Sequence, residues 1–214
     1  MLIQTQVGPI AVLASIPANI QPPLRSGNMG DLIVSQLHGR YYETNYRRNM
    51  FVATSNNSIG SNTSAGTLTT YFGLCVSNPV GSPVNIVLNK INFTVANAFT
   101  TVTPIGLMTG YNSSTSVTHT ANAFVKSAFT GVGAVGQGLA DWSATLSATP
   151  TVTHVFATGY TGAISTTPLP SSPTIVDLEG SVILPPGAFA AIWTPTALPS
   201  YALFAGMSWE EIPT

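Results

Sequence analysis

Ionised side chains are what this chain has least of. Six Lys/Arg and seven Asp/Glu among 214 residues amount to 6%, against about 25% in a typical soluble domain. The hydrophobic share, 44%, is ordinary, so the polar part comes from Ser, Thr, Asn and Gly. At a net charge of −1 copies repel one another weakly, and low net charge promotes association. A broad nucleic-acid-binding face is excluded, because it needs clustered Lys/Arg. The single cysteine, Cys75, excludes a disulfide framework within one chain and a Cys-rich metal site. In "YFGLCVSN" it is expected as a small core residue on a strand. No apolar run reaches the ~18 residues of a membrane span, so none is expected. The opening "MLIQTQVGPIAVLASIPANI" lacks a basic n-region and is interrupted by Gln4, Gln6, Gly8 and Pro9. It is not read as a signal peptide.

Catalytic constellations are also scarce. Neither His119 in "SVTHTANA" nor His154 in "TVTHVFAT" has an acid within ten residues. A hydrolase would need one of them to meet an acid and a serine in space. Both are expected instead as polar residues on a solvent or interface face. "VDLEG" would put Asp177 and Glu179 on one face of a strand, ~7 Å apart, within the range of inverting carboxylate pairs. The stronger reading is two solvent-facing acids beside a buried Val176 and Leu178. "GVGAVGQG" contains G-x-G-x-x-G at Gly131, Gly133 and Gly136, but it lacks the strand, helix and distant acid of a dinucleotide site and reads as a flexible loop. No catalytic residue, cofactor or metal ligand is expected.

What the chain does have is β pattern. In "PVNIVLNKINFTV", Val84, Ile86 and Leu88 alternate, and Ile91, Phe93 and Val95 then alternate one residue out of phase. The shift predicts a β-bulge at Asn89-Lys90, since an extra residue returns the apolar face to the core. "GTLTTYFGLCVSN" predicts a strand ending at Asn78-Pro79. Further strands are predicted over 99–109, 122–129, 151–159, 173–178, 181–185, 187–194 and 201–209, with Pro185-Pro186-Gly187 as a tight turn. "LADWSATLSA" is the exception, its Leu139, Trp142 and Leu146 allowing two helical turns. "TVTPIGLMTGY" from Thr101 and "TVTHVFATGY" from Thr151 echo one another. Many short strands separated by turn signals predict an all-β fold, a β-sandwich or jelly roll.

Before this body, residues 1 to about 29 carry Pro9, Pro17, Pro22 and Pro23 among Leu2, Ile3, Val7, Ile10, Val12, Leu13, Ile16 and Ile20. Proline blocks regular ladders, while a free linker would be polar. The segment therefore reads as an extended N-terminal arm lying on an apolar surface, of its own domain or of a neighbouring subunit. The division expected is an arm over 1–50 and a β-sandwich body over 51–214. Residues 31–51 are expected to be extended.

The arm's last part, "GRYYETNYRRNMF", gathers three of the six Lys/Arg and three of the seven tyrosines. Tyr and Arg are enriched at protein–protein hot spots, and Glu43 supplies a counterion within the cluster, which suits a protein partner better than phosphate. Arg25, His38, Arg40, Tyr41, Tyr42, Glu43, Tyr46, Arg47 and Arg48 are accordingly the candidate protein-interface residues. Apolar contact is non-directional, whereas bidentate Arg and Tyr hydroxyl contacts are directional, so this segment would fix the register of the docked arm.

The blocks "LHGRYYETNYRRNMF" and "VDLEGSVILPPGAFAAIWT…GMSWEEIP" resemble small structural proteins of tailed bacteriophages, in particular the head-decoration, or cement, proteins of short-tailed phages. The resemblance implies a non-enzymatic virion protein with a β-sandwich or jelly-roll body. It implies homotrimers seated on the outside of an icosahedral head, with the major capsid protein as partner and neither nucleic acid nor membrane bound. Arms would reach between capsid subunits and tie them together. The competing reading is a phage tail or receptor-binding module whose carbohydrate site uses Trp142, Trp193 or Trp209 as a stacking platform.

Overall fold

The computed structural model describes residues 5–6, 24–25, 39–55, 71–95, 103–120, 125–129, 131, 136–159, 173–195 and 203–214. The chain divides into two compact units, Met1–Tyr42 and Glu43–Thr214. In the first, β1 (Thr5–Gln6) and β2 (Leu24–Arg25) pair in parallel. Most of the residues read as an arm lie outside the described residues. At the division in sequence stands α1 (Tyr42–Tyr46), a five-residue helix, where the sequence predicts an extended stretch.

Apart from α1, the described part of the second unit is all-β and sandwich-like. One five-stranded sheet has the order β12 (Thr174–Leu184), β5 (Val84–Val95), β14 (Leu203–Pro213), β3 (Met50–Thr54), β8 (Val125–Ser127). The other has the order β11 (Thr151–Gly159), β6 (Thr103–Tyr111), β13 (Ala188–Trp193), β4 (Cys75–Ser77), β9 (Leu139–Asp141). Every pairing in both is antiparallel. The echoing segments are antiparallel neighbours, β6 and β11.

The core lies between the sheets. Ile86, Leu88, Ile91, Phe93, Met207 and Trp209 enter it from the first sheet, and Val76, Ile105, Leu107, Ala190 and Ile192 from the second. Trp209 is fully buried and stacks on Phe51, with centroids 6.2 Å apart. The bulge falls where the phase shift puts it. Ser208 pairs with Lys90 and Trp209 with Leu88, so Asn89 is the extra residue of β5. Opposite it on β12, the ladder steps from Asp177–Lys90 to Val182–Leu88. The residues in between, Leu178 to Ser181, leave the ladder, with Glu179 and Gly180 at positive φ.

A smaller apolar cluster covers the outer face of the second sheet. Cys75, Met108, Phe189 and Ala191 point outward there and are buried by Tyr71, Val117, Ala144 and Leu146. The cover is a miniature sheet of β7 (Thr118–His119) and β10 (Ala144–Thr145). Because β13 is buried on both faces, "AFAAIW" reads as an unbroken apolar run rather than an alternation. The helix expected over 139–148 is absent. Ala140, Ala144 and Leu146 are the buried apolar side chains there, and Asp141 Oδ1 accepts the Trp142 and Ser143 backbone N–H groups at 2.6 and 3.1 Å, turning the chain between β9 and β10. Aspartate competes for backbone donors in this way at turns.

The Pro185-Pro186-Gly187 turn forms, with the Ala188 N–H donating to Pro185 O at 2.9 Å. It does not make a hairpin, since β12 and β13 belong to different sheets. Gly187 sits at φ 90, and a Cβ there would stand 2.3 Å from Asn112 O. Buried Asn78 clasps this end of the sandwich. Its Nδ2 donates to Val84 O at 2.7 Å and to Leu184 O at 3.0 Å, and its backbone N–H donates to Ala188 O.

The end of the glycine-rich run is held as well. The Gln137 and Gly138 N–H groups donate to the carboxylate of buried Glu211 at 2.9 and 2.8 Å. The earlier part of the loop, 132–135, lies outside the described residues.

Deleting Asn89 would put one half of β5 on the wrong face. The deletion variant is expected to lose cooperative urea unfolding and near-UV circular dichroism. Asn89→Ala keeps the residue count, and its unfolding midpoint is expected to stay within the range of ordinary single substitutions, about 1 kcal/mol.

Candidate functional site

Three places could carry function: the Arg/Tyr segment, a buried polar cluster containing His119, and the aromatic surface around the tryptophans.

In the Arg/Tyr segment a turn opens α1, with the Tyr42 N–H donating to Gly39 O at 2.9 Å. The helix closes with the Arg48 N–H on Asn45 O at 2.9 Å and the Asn49 N–H on Thr44 O at 3.1 Å. These are the two bonds of a Schellman cap, whose left-handed position is usually glycine. Here it is Arg48, at φ 64. A non-glycine residue in that conformation costs roughly 1–2 kcal/mol. The side chain offsets part of this, because its guanidinium lies 5.5 Å from the centre of the Phe129 ring. Tyr46 meets the same ring edge-on at 6.4 Å. Tyr46, Arg48 and Phe129 thus form one aromatic–cationic knob, with Tyr46 62% and Phe129 47% exposed.

The other candidate residues are distributed as follows. Arg47 is exposed beside the knob. Arg40, Tyr41 and Tyr42 belong to the first unit, where the Arg40 guanidinium lies 5.3 Å from the Tyr41 ring. Arg25 is on β2 and Glu43 on α1, and His38 lies outside the described residues. Phe129 escaped the sequence reading, since an isolated aromatic in "SAFTGVG" carries no signal of a partner eighty positions away.

The histidines differ from one another. His154 stacks on Phe156 at 5.8 Å and has Thr153 Oγ1 3.1 Å from its Nδ1. His119, expected on a solvent or interface face, is half-buried in the cover of the second sheet. Its Nε2 lies 2.7 Å from Ser77 Oγ, and its Nδ1 is buried without a hydrogen-bond partner. Burial pushes its pKa down to about 4, against the upward pull of Asp141. Ser, His and Asp therefore do come near one another. They are not arranged as a triad, which needs the acid on the far nitrogen of the imidazole to orient it and to stabilise its charged form. Asp141 caps the turn at 142–143 instead, and Ser77 is 2% exposed. Cys75, register partner of Asp141, is buried, and its thiol pKa is pushed well up by desolvation and by that carboxylate. Among the described residues no three His, Cys, Asp or Glu side chains gather as metal ligands.

Asp177 and Glu179 are both solvent-exposed beside buried Leu178 and core-packed Val176, as the stronger sequence reading has it, and the alternative of a paired-carboxylate site fails on geometry. Asp177 stays in the ladder with Lys90 Nζ 3.6 Å away, while Glu179 sits in the left-handed excursion with its N–H on Asp177 Oδ1 at 3.2 Å. The two acids do not share a regular strand face.

Of the tryptophans, Trp209 belongs to the core, and Trp142 and Trp193 are half-buried. Trp142 lies beside Phe72, centroids 6.4 Å apart, and Phe72 is 38% exposed. An open cleft of about 450 Å³ lies between the sheets on the β11–β12 side, lined by Tyr111, Thr151, Thr153, His154 and Ile183 among others and by no Lys, Arg, Asp or Glu.

Compared with protein-family models, with curated proteins and with solved structures, the chain has no significant match in any of the three.

His119 sets a pH dependence. Its folded pKa is depressed, so the unfolded chain takes up a proton between about pH 6.5 and 4 that the folded chain refuses. Stability is full above pH 6.5 and falls as pH drops through that window, by up to ~3 kcal/mol at about 1.4 kcal/mol per pKa unit. His119→Gln cannot charge and is expected to flatten the loss. Urea midpoints at pH 7.5, 5.5 and 4 for both proteins are the check.

Proposed function

We propose that this chain is a non-catalytic structural subunit that works by adhering to other protein copies. In its specific form we propose a capsid cement or decoration protein of a phage head. As a homo-oligomer, a trimer in the reading the sequence resemblance suggests, it would bind the outside of the shell and tie neighbouring major capsid subunits together. The mechanism is mechanical. Packaged DNA presses on the shell from within, and a multivalent clamp adds modest contacts into a strong one, because each engaged site raises the effective concentration of the next.

The observation that carries the reading is the surface of the β unit. Large apolar and aromatic side chains stand out from it, Tyr111 at 58%, Val155 at 62% and Tyr46 at 62% exposed, on a chain with too little charge to keep copies apart. Such a surface is at rest when covered by protein. A glycan-binding module is the reading from another class. It would use Phe72 and Trp142, and addition of its sugar would quench tryptophan emission.

Light scattering over a range of concentrations tests the assembly reading directly. An oligomeric mass is expected, and a monomer at millimolar concentration would overturn it. Deleting residues 1–42 is expected to leave the β unit folded but unable to decorate purified heads, and full occupancy by the truncated chain would remove the arm from the mechanism. The cut respects Asn49, whose carbonyl accepts the Glu211 N–H at 3.0 Å. Arg47→Ala with Arg48→Ala is expected to weaken head binding at least tenfold while lowering Tm by only a few degrees. A large drop in Tm with binding intact would make the knob an internal anchor of α1.

A further inference from the structure

We infer that the outer side of the second sheet, along its β11 edge, is the surface through which one copy of this chain meets a second copy. The inference rests on the assembly reading above and deepens it by naming the face.

The charged residues of the two sheets are unevenly divided. The strands of the first sheet carry Lys90, Lys126, Asp177, Glu179, Glu210 and Glu211. The strands of the second sheet and of its β7–β10 cover carry Asp141 alone, and Asp141 is buried. One broad side of the sandwich therefore presents no ionised group from its strands. On that side Val152 is 40% and Val155 62% exposed, projecting from pairs with Met108 and Gly106.

Charge also selects the occupant. Nucleic acid or an anionic membrane surface requires cations, and the described strands of this side carry none. If the first sheet of another copy were laid on it, Lys90, Asp177 and Glu210 would lose water without gaining partners, at several kcal/mol per ion. The uncharged side of a second copy imposes no such cost. Like sides meeting make a two-fold contact.

The contact is made by side chains and not by extending the sheets. β11 has register irregularities at Val152/His154 and at Val155/Ala157, β12 is broken at 178–181, and β8 and β9 are three residues long. Bulged and short edges resist strand addition.

The test is sedimentation equilibrium of the full chain at 50 and 500 mM NaCl. For the unaltered protein we expect association that salt does not weaken. Val152→Lys with Val155→Lys is expected to weaken it at least tenfold with Tm nearly unchanged. Ile175→Lys with Ile183→Lys, on the charged sheet, is expected to leave it as it was. The reverse ranking overturns the face while leaving the assembly reading intact. A monomeric unaltered protein overturns both, and a tenfold loss at high salt overturns the uncharged contact. If the lysine pair fails to fold, Val155→Cys carrying a solvatochromic dye replaces it, the native Cys75 being buried. A blue shift as concentration rises supports the face, and no shift in an associating sample overturns it.

Discussion

The structure depends on one extra residue in its longest strand. β5 runs for twelve residues beside both β12 and β14, and its side chains must feed one core along the whole length. A strand alternates with a period of two, so a single slip would turn Ile91 and Phe93 outward if Ile86 and Leu88 face in. Asn89 absorbs the slip. Its consequences run through the neighbours: Trp209 pairs with Leu88 and can seat its indole against Phe51, and β12 leaves the ladder at Leu178 and rejoins at Val182. The positive φ values of Glu179 and Gly180 belong to this mismatch and not to a catalytic carboxylate pair.

Few charges leave each one a distinct position. Glu211 is buried and accepts two backbone N–H groups, holding the chain at 137–138 where it enters β9. Asp141 is buried and holds the next turn in the same manner. Hydrogen bonds to an ionised group are worth about 1.5–3 kcal/mol, more than neutral ones, so two carboxylates can fix two turns in a region rich in glycine and serine. His119 stands at the other extreme. It is buried neutral beside Ser77 with one ring nitrogen lacking a partner, a strained choice for a structural residue and one that ties the cover of the second sheet to pH.

Much of this was legible in the sequence, for physical reasons that can be named. The all-β class, the long strand with its bulge and the core position of Cys75 follow from side-chain period, which is local. Strand β13 shows only an apolar run because both its faces are buried, though its position was still clear from the turn before it. The helix expected at 139–148 came from the spacing of Leu139, Trp142 and Leu146. The buried positions proved to be Ala140, Ala144 and Leu146, and an aspartate turn at 141–143 overrode the helical period. The helix at Tyr42–Tyr46 was missed because its cap uses an arginine where the usual signal is glycine. Phe129 under Arg48 and Tyr46, Asn78 between Val84 and Leu184, and Ser77 beside His119 are contacts between distant segments. No local pattern announces them.

Low charge raises a question that the edges answer. Long exposed strands without lysine invite sheet-to-sheet growth, and β11 carries no Lys, Arg, Asp or Glu. The chain blunts its edges by shape instead: β11 and β12 are irregular, and β8 and β9 end after three residues. Shape protects backbone donors and acceptors but leaves the side chains on the broad faces unaltered. A protein built this way can stay free of fibrous growth and still present an apolar side to a partner. Adding charges to protect the edges would have compromised that side as well, because side chains on an edge strand project from the same two faces. The scarcity of charge and the irregular edges are thus compatible: shape protects the strand margins without adding ionised residues to the face proposed above as the contact.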